Sequence, residues 1–303
     1  MMKKFFSLAL CAAALLGALA LSPAIAADGA PIAENLELST YRNVSVGGRL
    51  AADAEGDAVT FEITTQPKKG DIELHDDGSF VYTPRENKKG RDYFGYRATD
   101  SEGNVSQEAT VIITISKQKT GVTYSDMSGS GSEYAAAALA ESGVYTGALL
   151  GGSYVFEPSA TLTRGQFLMM CMSAADVPLL SGVLTTGFAD DADIPAAMKP
   201  YVSTALHRGI VSGVERDGQT VFAPNEPITG AEAAVILDRC FALTTVSLAS
   251  AADEAAPVWA AQSAANISEC GILSYDAAVS GSALSRAECA EMLVSAMAVA
   301  AKR

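Results

Sequence analysis

Three short motifs carry the residues of this chain best suited to chemistry: Thr163-Arg164-Gly165-Gln166, Thr229-Gly230-Ala231-Glu232 and Ser285-Arg286-Ala287-Glu288. In each, a Ser or Thr is followed three residues later by Glu or Gln. That is the capping-box spacing, in which two side chains satisfy orphan amides at a helix start. The first and third motifs add an arginine in the first turn. A guanidinium offers paired donors to a carboxylate, and a helix start adds amides and the positive end of the dipole, so Arg164 and Arg286 are candidates for holding an anion. Gly230 takes that place in the second motif, which predicts a weaker site unless Lys199 or Arg208 substitutes. Acidic loops offer a second chemistry. Asp53, Glu55 and Asp57 in one loop, with Asp100 and Glu102 in another, could give calcium its hard oxygen ligands, although Asp in such loops is equally a turn former.

Little else in the chain could react. It has two histidines, His75 and His207; neither lies near a cysteine pair with zinc-site spacing, and neither partners a serine. No catalytic motif is visible, so no enzyme activity and no cofactor other than calcium is expected. With 35 acidic against 21 basic residues the net charge is −14, which argues against nucleic acid. The hydrophobic share of 49% against 18% charged is enough to build packed cores. Cys171, Cys240, Cys270 and Cys289 read as small buried residues or as disulfide partners; four cysteines allow three pairings, and spacing does not choose among them.

The elements that position these residues follow from local pattern. Met1-Met2-Lys3-Lys4, an apolar run and Ala24-Ile25-Ala26 form a secretory signal over residues 1–26. No membrane span is expected after its removal, because the best later candidate, 287–301, contains Glu288 and Glu291. Residues 28–117 read as strands at 43–46, 58–64, 71–74, 79–83, 92–99 and 109–115, with Asp77-Gly78 as a hairpin turn, hence a β-sandwich. A linker is placed at 118–122. Beyond it the pattern becomes helical and repeats: Leu139-x3-Gly143-Val144, Ala205-x3-Gly209-Ile210 and Ile267-x3-Gly271-Ile272 precede the three capping boxes at offsets of 20, 20 and 14 residues. The copies span 123–182, 183–248 and 249–303. Phe156-Glu157-Pro158 and Phe222-Ala223-Pro224 lie between helices in the first two, and Ala278 takes the Phe place in the third.

The runs "DAEGDAVTFEI", "PKKGDIELHDDGSFVYTP" and "NKKGRDYFGYRATDSEGNVS" resemble a bacterial Ig-like or cadherin-like module of exported surface proteins. That resemblance implies a spacer or adhesion unit, in some members with calcium. The helical copies resemble the S-layer homology domain, whose copies open with aromatic-x-Asp, carry a Trp in the first helix, a Phe-x-Pro loop and a Thr-Arg-Ala-Glu second-helix start. Here Tyr124-Ser125-Asp126 and Phe188-Ala189-Asp190 meet the opening, and Trp259 the aromatic position, where the other copies have Gly131 and Ala197.

The fold class implied is an all-β Ig-like sandwich followed by an all-α three-repeat domain with pseudo-threefold grooves. The grooves would hold an anionic secondary cell-wall polysaccharide or peptidoglycan-linked polymer, often pyruvylated. Carried over, the binding set is Arg164, Arg286, Thr163, Thr229, Ser285, Glu232, Glu288, Gln166, Trp259, Asp126 and Asp190. The function implied is that of a secreted, non-enzymatic surface protein anchored at the wall and displaying one sandwich. The alternative is an adhesin or S-layer subunit whose sandwich binds a surface protein, a host ligand or calcium.

Overall fold

The computed structural model describes residues 30–53, 58–243 and 257–303. The signal expected at 1–26 lies outside the described residues. The chain divides into two compact units that part between Ala137 and Ala138, inside helix α1 (Glu133–Glu141).

In the first unit, strands β1 (Ile32–Ala33), β2 (Leu36–Tyr41), β3 (Val46–Arg49), β4 (Ala52–Asp53), β5 (Thr60–Thr65), β6 (Gly70–Leu74), β7 (Ser79–Pro84), β8 (Gly90–Thr99) and β9 (Ala109–Ser116) build two main sheets. One has the order β2-β9-β8-β5, the other β3-β7-β6, and β1 pairs with β4. Alternation decides the faces: every second residue of β9 is buried, and Phe80, Tyr82, Phe94 and Tyr96 are wholly inside. Phe80 of one sheet meets Phe94 of the other edge-to-face, with centroids 5.3 Å apart, which joins the sheets as a sandwich. The Asp77-Gly78 turn connects β6 to β7 as expected. Strand β2 was not foreseen. It runs parallel to β9, from Leu36 beside Val111 to Tyr41 beside Ser116, and buries Ser39 and Thr40.

Two buried carboxylates fasten loops to this sandwich. Asp92 accepts the amides of Lys68 (3.0 Å) and Lys69 (2.8 Å) and the Tyr82 hydroxyl (2.8 Å). Glu133 accepts the amides of Ser45 (3.0 Å) and Gly129 (3.3 Å). Around Glu133, Tyr134 donates its amide to the Ser45 carbonyl, Gly47 donates to Gly131, and the rings of Tyr41 and Tyr134 lie 5.4 Å apart. The segment up to Ala137 is thus tied to the edge strand β3.

The second unit holds the rest of α1, a hairpin of β10 (Ala148–Leu150) and β11 (Ser153–Val155), α2 (Arg164–Ala174), α3 (Lys199–His207), a hairpin of β12 (Val214–Arg216) and β13 (Gln219–Val221), α4 (Gly230–Phe241), α5 (Ala261–Glu269), the short α6 (Tyr275–Ala278) and α7 (Arg286–Ala300). It is mainly helical, with small hairpins that an all-α reading does not contain. The sequence's Gly-apolar signal is a Schellman stop. Gly143, Gly209 and Gly271 take φ of 73°, 70° and 64°, and Val144, Ile210 and Ile272 donate back to the carbonyls of Leu139, Ala205 and Ile267. At the centre, a closed ring of backbone hydrogen bonds links three buried residues: Ile228 donates to Leu162 (3.0 Å), Leu284 to Ile228 (2.9 Å) and Leu162 to Leu284 (3.4 Å). Each stands one residue before a capping Thr or Ser, so the ring sets α2, α4 and α7 in equivalent positions.

Candidate functional site

The three capping boxes are formed. Thr163 Oγ1 accepts from the Gln166 amide (3.3 Å) and Gln166 Oε1 from the Thr163 amide (3.0 Å). Thr229 with Glu232, and Ser285 with Glu288, repeat the exchange. In the first and third motifs the exposed helix-start amides were expected to favour an anion. Instead the next two amides of each helix donate to carbonyls of a neighbouring loop: Arg164 and Gly165 to Glu226 and Pro224, Gly230 and Ala231 to Ser282 and Ser280, and Arg286 and Ala287 to Ala160 and Pro158. These contacts close one copy on the next, so any anion must be held by side chains.

The two arginines are clasped as well. Arg164 is 7% exposed, pairs through Nη1 with Glu232 Oε1 at 2.7 Å, and lies over the Phe222 ring. Its Nε–H is buried with no hydrogen-bond partner. Arg286 pairs with Glu157 at 2.9 Å, donates to the Phe156 carbonyl and lies over the Tyr145 ring. Each arginine lines a cleft. That of Arg164, about 410 Å³, includes Ser212, Glu232, Ile236, Arg239 and Trp259. That of Arg286, about 360 Å³, includes Tyr145, Gln166, Met169 and Tyr201. Trp259 is 58% exposed and offers a bare aromatic face at its cleft.

The second helix start is built differently. A Cβ on Gly230 would stand 2.1 Å from the Ala277 carbonyl oxygen, because α6 occupies the place of the hairpins in the other copies. Ala278, at the Phe position, is fully buried. No arginine fits there.

The remaining expected residues fall into place unequally. Asp190 accepts the amides of Phe222 and Ala223 at 2.8 Å each and so fixes the end of β13, with Phe188 against Phe222. Asp126 is exposed in the first unit. Of the calcium candidates, Asp100 accepts the amides of Glu102 and Asn104 and the Asn104 side chain, the bonding of a turn, and Glu102 is exposed. Asp53 belongs to β4, while Glu55 and Asp57 lie outside the described residues. Among the described residues no group of three or more His, Cys, Asp or Glu is placed to hold a metal ion. Sequence reasoning missed Tyr145, Tyr201 and Arg239. Tyr145 stands two residues beyond the Gly143 helix stop, a signal available in the sequence; Tyr201 and Arg239 have none.

Residues 23–117 match the family model of the bacterial cadherin-like domain, and residues 187–234 match that of the S-layer homology domain. The chain carries both domains. The S-layer homology match runs from just before Phe188-Ala189-Asp190 to just past Thr229-Gly230-Ala231-Glu232, and so covers the second copy, the one with Gly230. The surface-layer 125 kDa protein of Lysinibacillus sphaericus is 31% identical over 105 residues, which are 35% of this chain and 8% of that protein's length. Among solved structures, the endo-fucoidan hydrolase MfFcnA4 of glycoside hydrolase family 107 is 22% identical over 30% of this chain and 14% of its own, with a TM-score of 0.25. The SrpA adhesin of Streptococcus sanguinis is 19% identical over 31% of this chain and 65% of its own, with a TM-score of 0.24. At those scores neither likeness bears on what this chain does. Among the described residues no helix is long and apolar enough to cross a membrane.

Proposed function

We propose that this is an exported, non-enzymatic cell-surface protein whose helical unit comprises three S-layer homology repeats and anchors it to an anionic cell-wall polysaccharide, with the cadherin-like sandwich displayed as a spacer or adhesion unit. Both domain matches and the surface-layer relative support the surface location, and the matched families are non-catalytic ones. The ring through Leu162, Ile228 and Leu284, with its three capping boxes, supports extending the match on the second copy to the other two. One observation carries the binding reading: the cleft beside Arg164 sets a guanidinium next to a second arginine and an exposed tryptophan. An acidic sugar supplies both the carboxylate for the arginine and an apolar face for Trp259.

The test is co-sedimentation of the full chain with purified walls. Trp259→Ala removes an exposed ring without touching the fold, so it should pellet several-fold less while melting as wild type does. Walls stripped of acidic substituents should release the wild-type protein in the same way. Equal pelleting of the variant and wild type, or indifference to stripping, overturns the assignment.

A further inference from the structure

We propose that Cys171 and Cys240 form a disulfide when the chain meets an oxidising medium, stapling α2 to α4. Sequence spacing left three pairings open among four thiols, and the packing distinguishes one. The Cys171 thiol donates to the Ile236 carbonyl at 3.9 Å. In α4 that carbonyl is the helical acceptor of the Cys240 amide, one turn on. The Cys171 sulfur therefore rests against the turn that bears Cys240. Cys171 is wholly buried and Cys240 half-buried, so an oxidant reaches the pair through Cys240.

The chemistry balances with a small disulfide such as glutathione disulfide as oxidant. The Cys240 thiolate attacks one sulfur of that disulfide and releases one glutathione thiolate, leaving a mixed disulfide on Cys240. Cys171 then attacks the Cys240 sulfur, forming the protein S–S bond and releasing the second glutathione, which takes up the Cys171 proton. Two protein thiols are oxidised and one disulfide is reduced to two thiols. Burial, reinforced by the neighbouring Cys240, pushes the Cys171 thiol well up, so it stays neutral until the mixed disulfide is adjacent. The same helices carry Arg164 and Glu232, so the staple would restrain the floor of their cleft, and it would constrain a long loop of the unfolded chain.

The full chain, reduced and then equilibrated with glutathione disulfide, is alkylated and mapped by mass spectrometry without reduction. The expected product is two hydrogens lighter, contains a Cys171–Cys240 linked peptide and melts several degrees above the reduced protein. Cys171→Ser should leave Cys240 carrying glutathione, and Cys240→Ser should leave Cys171 unmodified. A bond between any other pair, or four thiols that all remain alkylatable after denaturation, overturns the proposal; both readouts use the wild-type chain and stand even if a variant fails to fold.

Discussion

The sandwich and the helical unit solve one problem, fastening loops to a scaffold, with opposite charges. In the sandwich a buried carboxylate collects donors, with Asp92 gathering two amides and a tyrosine hydroxyl. In the helical unit a guanidinium gives donors away, Arg286 to a carbonyl and a carboxylate, Arg164 to Glu232 alone. The difference matters for function. The oxygens of Asp92 are held by partners on its own chain, whereas Arg164 and Arg286 each also line a cleft. A fastening whose cation lines a cleft is also placed to meet an anion.

The largest effect that would test this contrast is in the sandwich. Asp92→Ala strands the Tyr82 hydroxyl and the Lys68 and Lys69 amides and should cost about 3 kcal/mol, read in urea unfolding of the full chain. The loss also has a pH signature. Burial disfavours the Asp92 charge, but the Tyr82 hydroxyl and the Lys69 and Lys68 amides outweigh it and hold the carboxyl below its usual 3.8. A depressed folded value means that the stabilisation is present above pH 3.8 and lost as pH falls through the lower folded value. Glu133 runs the other way: burial, only partly offset by the Ser45 and Gly129 amides, raises its carboxyl above 4.5. Its contribution is full below 4.5 and is lost as pH rises through the folded value. Asp92→Asn should therefore flatten the acid limb of the stability curve and Glu133→Gln the limb above pH 4.5. If both variants keep the wild-type curve, these carboxylates are not what fastens the loops.

What could be read from sequence was what repeats or alternates. The strands from β5 to β9 show apolar residues at every second position, and the capping boxes and Schellman glycines recur in register, so they were legible before any coordinates. Strand β2 was hidden because Ser39 and Thr40, on opposite faces of the strand, are both buried, and the Thr40 hydroxyl is satisfied by the Val44 carbonyl, a contact that no hydropathy pattern reports. The bond from Ser45 to Glu133 joins residues 88 apart. Nor could spacing show that the helix-start amides would be taken by neighbouring loops. The shorter third loop was visible as an offset of 14 rather than 20, but not that it coils into α6 and closes on Gly230.

A second effect, nearly as large, lies at that glycine. Gly230→Ala drives a methyl into the Ala277 carbonyl, a backbone atom that cannot swing aside, and should cost about 2 kcal/mol. Arginine at that position should unfold the unit further rather than create a third cleft. A Gly230→Arg protein of wild-type stability with increased wall binding would show that α6 is displaceable and that the helix starts are interchangeable.

The smallest effect separates the two arginines from each other. Arg164 and Glu232 keep 9% and 23% of their side chains exposed, so Arg164→Ala leaves a largely desolvated carboxylate and an uncovered Phe222 ring. Glu157, the partner of Arg286, is 57% exposed and can be rehydrated when its arginine is lost. We expect about 2 kcal/mol for the first and about 1 kcal/mol for the second, since ion pairs with one foot in water are screened. Salt should divide them in the same sense: the melting point of Arg286→Ala should approach that of wild type as ionic strength rises, while the deficit of Arg164→Ala persists. Wall binding need not follow that order, because the two arginines line different clefts. If Arg164→Ala, measured where it is still folded, binds walls as wild type does while Arg286→Ala does not, the cleft beside Tyr145 and Tyr201, not that of Arg164, is the one that holds the polymer.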